Sequence, residues 1–310
     1  MAAYEIFKDL AIIIIFAKFF GILARKLKAP QVVGEIIAGL IIGPSLLGLV
    51  TASDFLVQMA EIGVVLIMFS AGLETDLKEL MKTGPKAFLI ACAGVLIPLI
   101  GGTLLNMAFY GASAVGTLEF YQSLFIGVIM TATSVSITVQ ALKELGYLKG
   151  TVGTTILAAA IIDDIIGIVV LTFVISFKDP EQSMSRVVIS TILFFVFSII
   201  IGYVTYKIFK FVDKKYPHTR RIPIAGLALC LAMAYIAEKF FGIADITGAY
   251  VAGIILCSIH DSDYIAEKMD VNAYMVFGPI FFASIGLKTD ITSFSTEILI
   301  FSIAFVVIAM

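Results

Sequence analysis

The stretch Thr154–Thr172, TTILAAAIIDDIIGIVVLT, decides how this chain is interpreted, because two adjacent aspartates stand in the middle of an apolar run. A charged side chain at bilayer depth costs about 3 kcal/mol or more, and neighbouring carboxylates also repel each other. A bound cation, a buried base or a proton can offset that cost. We therefore interpret Asp163 and Asp164 as a candidate intramembrane site for a cation and a proton. The alternative is a buried structural pair that neighbouring helices satisfy.

Composition places the chain in the class of all-α polytopic membrane proteins. Of its 310 residues, 60% are hydrophobic and only 14% are charged, which is more apolar surface than a soluble protein of this size can bury. The sequence has no glycine-rich phosphate loop, metal cluster or nucleophile constellation, so we predict neither an enzyme nor a cofactor. Its two histidines, His218 and His260, both fall in loops and do not predict a metal site.

Apolar windows of about 20 residues predict ten full spans. They lie near 6–27, 31–50, 56–73, 86–110, 120–142, 151–177, 186–212, 222–240, 243–259 and 271–287. An eleventh begins near Ile298 and reaches Met310 after about 13 residues, too few to span a bilayer. We therefore expect a partial eleventh span and a chain that is truncated at its C-terminus.

Lysine and arginine concentrate in the loops that follow the odd-numbered spans, with the densest cluster at Lys210–Arg221. Cytoplasmic loops carry such an excess, so the pattern predicts that the N-terminus lies outside. We expect an integral protein of a bacterial or archaeal plasma membrane, in contact with lipid and not with nucleic acid.

The chain also repeats itself at an offset of 214 residues. Two blocks align without gaps: Gly34, Ala38, Gly39 and Ile41 fall on Gly248, Ala252, Gly253 and Ile255, and Ser70, Gly72, Leu73, Thr75 and Asp76 fall on Ser284, Gly286, Leu287, Thr289 and Asp290. Seven predicted spans separate the copies, so the copies have opposite orientations. Inverted repeats are typical of secondary transporters. We predict a first repeat at about 4–177, a linker helix at about 186–212 and a second, truncated repeat at about 218–310, with 13 spans expected in total.

A run of hydroxyl side chains lies at the middle of the fifth predicted span, in TATSVSIT at Thr131–Thr138. Serine and threonine compete for backbone hydrogen bonds and weaken a helix locally. We expect a broken helix here, whose free carbonyl groups and half-helix ends suit a monovalent cation. The alternative is a hydroxyl-lined contact between two helices.

The two aspartates cannot face one small ion equally, because neighbouring residues on a helix point about 100° apart. We expect Asp164 to carry the cation and the proton in competition. We expect Asp163 to lean toward another helix and a basic partner.

Five segments together resemble the monovalent cation:proton antiporter family 2, which includes Kef-type and NapA-type proteins. They are GEIIAGLIIGPSLLG at Gly34–Gly48, LIMFSAGLETD at Leu66–Asp76, TATSVSIT at Thr131–Thr138, IIDDIIGI at Ile161–Ile168 and PIFFASIGLKTD at Pro279–Asp290. The resemblance implies an inverted-repeat antiporter fold of the NapA/NhaA kind, a homodimer, and a core domain that moves like an elevator against a dimerisation domain.

The resemblance also implies the ion. An Asp-Asp pair in the sixth span resembles electrogenic sodium/proton antiporters, whereas Gln-Asp is typical of potassium systems, so Na⁺ or Li⁺ exchanged for H⁺ is favoured. Thr133 and Ser134 would line the ion site beside Asp164. One departure is that no lysine follows Lys288, whereas electrogenic members pair a later lysine with the first aspartate.

Two further charges lie within predicted spans. Glu35, near the start of the second span, is interpreted as a helix-start carboxylate, with a place in the cytoplasmic funnel as the alternative. Lys18, in mid-span, is expected to face a polar interior or a subunit contact.

The alternatives to a sodium antiporter are a potassium/proton exchanger of the Kef type, an efflux channel, and a sensory or regulatory membrane protein without transport.

Overall fold

The computed structural model describes residues 3–112, 114, 116–176, 184–215, 218–291 and 295–309, and the regular secondary structure among them is all helical. The helices are α1 Ala3–Lys26, α2 Gln31–Ile42, α3 Asp54–Leu73, α4 Leu77–Tyr110, α5 Leu118–Thr131, α6 Val135–Glu144, α7 Thr151–Ser176, α8 Met184–Lys215, α9 Arg221–Phe241, α10 Asp245–Leu256, α11 Ser262–Asn272, a π-helical turn Ala273–Phe277, α12 Gly278–Leu287 and α13 Thr296–Ala309. The predicted boundaries at residues 177 and 310 lie outside the described residues.

Seven helical stretches among the described residues are long and apolar enough to cross a membrane. They are Asp54–Leu73, Leu77–Tyr110, Leu118–Glu144, Thr151–Ile175, Ser185–Val212, Arg221–Phe241 and Ser262–Leu287. Three further apolar helices, α2, α10 and α13, are shorter. The count of ten spans stays a prediction.

The second predicted span, 31–50, shows why windows of hydropathy overestimate helix length. Its helix ends at Ile42, and Gly43 takes an extended conformation (φ −73°, ψ 176°). Pro44 follows, and a proline disfavours helical geometry in the residue before it. The apolar residues 46–50 therefore lie in a turn and the loop after it, and not in α2.

The offset of 214 residues also relates helix ends in three dimensions. It carries both ends of α2, Gln31 and Ile42, onto both ends of α10, Asp245 and Leu256. The last residue of α3 likewise falls on the last residue of α12. Two residues after each helix end a threonine hydroxyl donates a hydrogen bond back to a carbonyl oxygen of that helix: Thr75 to Ala71 at 2.8 Å, and Thr289 to Ile285 at 2.9 Å.

The contacts between the two copies are reciprocal: the offset of 214 residues converts each contact into the other. A Cβ atom on Gly72 of α3 would lie 2.3 Å from the carbonyl oxygen of Tyr250 in α10. A Cβ atom on Gly286 of α12 would lie 2.2 Å from the carbonyl oxygen of Ile36 in α2, the position equivalent to Tyr250. Each helix pair thus crosses backbone to backbone, as small residues allow in membrane proteins.

The helices form two groups that position the aspartate pair. In one group α4 packs against α5 and α7, the helix that carries Asp163 and Asp164. In the other, α1, α2, α3, α9, α10 and α12 pack together, and the large buried side chains Phe69, Met233 and Phe282 lie in their cores. Helix α6 contacts α2 and α3 of the second group as well as α7.

Candidate functional site

The break that the hydroxyl-rich run predicts is present. Helix α5 ends at Thr131, α6 begins at Val135, and Ala132 and Ser134 between them have extended backbone conformations. The Ser134 hydroxyl accepts a hydrogen bond from the backbone N–H of Ile137 at 3.4 Å and so caps α6. The break therefore presents the C-terminal end of α5 and the N-terminal end of α6, with opposite partial charges, side by side.

Asp163 joins this break to α7. Its side chain is buried, with 7% of the residue exposed, and its Oδ2 accepts a hydrogen bond of 3.0 Å from the Thr133 hydroxyl. On the other side α4 lies close, since a Cβ atom on Gly94 would be 3.4 Å from Asp163 Oδ1. The partner of Asp163 among the described residues is thus a hydroxyl and not the basic side chain that the sequence analysis expected.

Asp164 differs from its neighbour in exposure and in partners. Its side chain is half-buried, and no described residue donates a hydrogen bond or pairs a charge with it. The turn of about 100° between adjacent helical residues directs it away from the Thr133 contact. Asp164 is therefore the carboxylate of the pair that can accept a new ligand without losing an existing bond.

The structure brings three of the four predicted site residues into one place. Thr133 contacts Asp163, and Asp164 follows on the same helix. Ser134 lies in the break but uses its hydroxyl on α6, so it is not hydrogen-bonded to either aspartate. The grouping offers carboxylate and hydroxyl oxygens only, which is the chemistry that hard cations and protons require.

A second charged cluster, which sequence reasoning missed, lies at the far end of α6. The Lys143 ammonium contacts Glu74 and Asp270 at 2.7 Å each and stands 4.4 Å from the ring centre of Tyr274. In the sequence Lys143 serves only as one of the basic residues that set orientation. Its partners are distant in sequence, so no local signal could have identified the cluster.

Glu144, the next residue, fastens α6 to α2. Its carboxylate accepts a hydrogen bond from the backbone N–H of Gln31, the first residue of α2, and another of 2.7 Å from Gln140. An acidic group at a helix N-terminus is favourable, because the first N–H groups lack partners within the helix. Helix α6 is thus held to the second group of helices through two adjacent charged side chains.

Glu35 and Lys18 lie in the same region and pair with each other at 3.4 Å. Glu35 is only 3% exposed and also accepts a hydrogen bond of 2.7 Å from Gln31, so it is more than a carboxylate at a helix start. Lys18 also donates to the backbone carbonyl of Tyr274 at 3.2 Å. Lys18 therefore faces a polar interior, as expected, and a cavity of about 230 Å³ is lined by this pair together with Lys143.

Known proteins resemble this chain over nearly its whole length. It is 36% identical over 294 residues to the probable Na(+)/H(+) antiporter GerT of Bacillus cereus, an alignment that covers 94% of this chain and 76% of that protein. It is 35% identical over 308 residues to the Na(+)/H(+)-K(+) antiporter GerN of Bacillus cereus, covering 99% and 77%.

Solved structures show the same fold. The sodium proton antiporter MjNhaP1 from Methanocaldococcus jannaschii at pH 8 superposes with a TM-score of 0.71 and 17% identity, covering 100% of this chain and 79% of that one. The model of the transmembrane sodium/hydrogen exchanger family matches residues 11–310. This chain is therefore a membrane protein that belongs to the sodium/hydrogen exchanger family.

Proposed function

We propose that the protein is a secondary active antiporter that exchanges a monovalent cation, Na⁺ or Li⁺ in preference, for protons at Asp163 and Asp164. The observation that carries the proposal is the Thr133–Asp163 hydrogen bond of 3.0 Å, which places the aspartate pair of α7 against a broken helix. An apolar helix that carries two carboxylates beside interrupted backbone is the arrangement that an intramembrane ion site requires. The Asp-Asp pair itself favours a NapA-type subfamily.

Exchange at this site is competition for oxygen atoms. A proton on Asp164 removes the negative charge that a cation needs, and a bound cation disfavours the proton. Asp163 stays oriented by Thr133 and by its position against α4. Na⁺, Li⁺ or K⁺ and the proton are thus the transported species, and no cofactor is required.

Alternating access follows from the division into two groups of helices. We infer that the copies related by 214 residues are inverted repeats, which the reciprocal contacts of Gly72 and Gly286 support. The group that contains α4, α5 and α7 would then move like an elevator against the group that contains α2, α3, α10 and α12. We further propose a homodimer whose N-terminus lies outside.

Potassium is the second candidate ion. One relative at 35% identity is named a Na(+)/H(+)-K(+) antiporter, so the same scaffold accommodates potassium in that protein. The oxygen ligands of the candidate site do not by themselves separate the two ions. Ion selectivity therefore forms part of the test.

The test is a proton-flux assay in proteoliposomes that contain a pH-sensitive dye, with Na⁺, Li⁺ or K⁺ added outside. The wild-type protein should move protons on addition of sodium or lithium, and Asp164→Asn should abolish this response. Asp54→Asn, an exposed aspartate at the start of α3, is the matched control and should leave the response unchanged.

Each other outcome has a defined meaning. Sodium-dependent flux that persists in Asp164→Asn would refute the assignment of that residue as the carrier. A response to potassium alone would favour the second candidate. Ion flux without obligatory proton movement would indicate a channel, and no flux in a folded wild-type protein would indicate a sensory or regulatory role.

A further inference from the structure

A groove between α8 and α10 lies on the surface of the protein and encloses a cavity of about 530 Å³. This volume falls within the range of about 300–1,000 Å³ that ligand sites occupy. The α8 wall is exposed, since Ile199 and Tyr203 are 72% and 62% exposed. The α10 wall is formed by Val251, Ile254 and Ile255. Neither the aspartate pair of α7 nor the charged cluster of α6 contributes to this groove.

The groove follows a part of α8 that lies inside a candidate membrane span. Its lining on α8 extends from Phe195 to Tyr206, which is about 16 Å of helix, and the span itself covers Ser185–Val212. Gly202 also lines the groove and lets the helices approach, because a Cβ atom there would lie 2.9 Å from the Ile255 side chain. An apolar slot of this length matches one leaflet of a hydrocarbon core about 30 Å thick.

Two lysines flank the groove at the end where the span finishes. The Lys207 Nζ stands 5.1 Å from the centre of the Tyr203 ring, and the Lys210 Nζ donates a hydrogen bond of 3.3 Å to the Tyr206 hydroxyl. Both tyrosines line the cavity, so the two ammonium groups lie beside its rim. Both lysines are within about two helical turns of Val212, the last residue of the span, where lipid headgroups are expected.

The positive charges of these lysines lack an acidic partner. Among the side chains that the structure describes, no carboxylate forms an ion pair with Lys207 or Lys210. Their contacts are the two tyrosines, which are uncharged acceptors and ring faces. Neighbouring like charges on a helix also disfavour each other. A phosphate group beside both lysines would relieve this repulsion and accept charge-assisted hydrogen bonds from both.

We propose that the groove binds an anionic phospholipid, with one acyl chain along the apolar slot and the phosphate beside Lys207 and Lys210. Such a lipid carries its apolar chain and its negative charge in the same order as the groove presents apolar walls and ammonium groups. A neutral lipid, or an apolar helix of a second copy of the chain, would fill the slot and leave both ammonium groups without an anion.

The position of α8 gives this binding a consequence for the whole protein. Helix α8 contacts α7 of the first group of helices and both α9 and α10 of the second group. A lipid held between α8 and α10 would therefore restrain the helix that links the two groups.

The test measures lipid binding and does not depend on transport. The purified full chain in a non-ionic detergent is titrated with phosphatidylglycerol, or with phosphatidylcholine of the same acyl chains, and native mass spectrometry measures the bound lipid. We expect phosphatidylglycerol to bind about 25-fold more tightly, since each of two basic residues near a membrane surface contributes a factor of about five. Lys207→Gln and Lys210→Gln should each lower this preference about fivefold, and the double variant should remove it.

Lys26→Gln is the matched control, because this lysine is also exposed at the end of a helix but does not line the groove. It should keep the full preference for phosphatidylglycerol. Location is tested separately with a phosphatidylglycerol that carries a photoactivatable diazirine in its acyl chain, which should label peptides of α8 and α10.

Three results would overturn the proposal: equal binding of the two lipids by the wild type, an unchanged preference in the double variant, or labelling confined to other helices. A disulfide between two copies of an Ile199→Cys variant, with no lipid labelling of α8, would also overturn it and would assign the groove to a contact between copies.

Discussion

The crossing of α3 and α10 provides a sharp test of the packing that holds the two repeats together. Gly72→Ala adds one methyl group where its Cβ atom would lie 2.3 Å from the Tyr250 carbonyl oxygen. Ordinary contact begins at 3.4 Å, so the helices must separate locally by about 1.1 Å. The offending atom belongs to the backbone of α10 and cannot rotate away.

The magnitude follows from known effects of overpacking. Inserting a methyl group into a close-packed interior costs about 1–3 kcal/mol, although alanine in place of glycine favours a helix by up to about 1 kcal/mol. Because the Cβ atom meets a backbone atom, the overpacking cost lies near the upper end, and about 3 kcal/mol less about 1 kcal/mol leaves about 2 kcal/mol. At about 2 °C per kcal/mol for a chain of this size, the melting temperature should fall by about 4 °C. Gly286→Ala should give a similar fall, because its Cβ atom meets the Ile36 carbonyl oxygen at 2.2 Å.

The assay is thermal unfolding of detergent-solubilised protein followed by fluorescence-detected size exclusion of a fluorescent fusion, since the sequence contains no tryptophan. Gly167→Ala in α7 is the control, because a Cβ atom there would meet nothing within 4 Å. This control should melt at or slightly above the wild-type temperature. If Gly72→Ala and Gly286→Ala melt like the control, the crossings are not backbone to backbone and the reasoning is refuted.

Two further predictions concern α6 and the break. Thr133→Val removes the donor to Asp163 and should weaken cation affinity in the flux assay about 5- to 10-fold, equivalent to about 1–1.4 kcal/mol for one hydrogen bond of ordinary net strength. Unchanged affinity would show that the bond does not orient the carboxylate. Lys143→Met leaves Glu74 and Asp270 without their shared ammonium and should lower the free energy of unfolding by about 1–3 kcal/mol. This loss is smaller than the loss expected on breaking a fully buried ion pair, because the two carboxylate side chains are 11% and 28% exposed. Neutralising both carboxylates in the Lys143→Met background should recover part of the lost melting temperature, and a further fall would contradict the assignment.

The aspartate pair and the break were predictable because each is a local conflict in the sequence. A charge within an apolar run, such as Asp163 in IIDDII, is anomalous whatever surrounds it. A run of hydroxyl residues weakens a helix through bonds to its own backbone, as Ser134 does when it caps α6. The repeat was visible for a related reason, since glycines at helix crossings must recur wherever the crossing recurs.

The charged clusters could not be predicted because they form through tertiary contacts between residues that are far apart in the sequence. Lys143 is indistinguishable in sequence from other basic residues at span ends until Glu74 and Asp270 are seen beside it. His218 and His260 likewise occur in separate loops, and only the fold places both at Asp261. Hydropathy also misjudged α2, because it registers apolar character and not the backbone turn at Gly43.

Two kinds of helix contact differ in what motion they allow: the glycine crossings within the second group, and the polar contacts that join α6 to that group. The glycine crossings are apolar and backbone to backbone, so they belong to a rigid unit that a small displacement would disrupt. Helix α6 is about 15 Å long and carries the ion-site break at one end and the polar contacts of Lys143 and Glu144 at the other. Polar side-chain contacts can be exchanged for water, whereas close-packed backbones cannot separate without forming a void. For the proposed exchange cycle we therefore expect the polar contacts of α6 to open, while the crossings of α3 with α10 and of α2 with α12 stay closed.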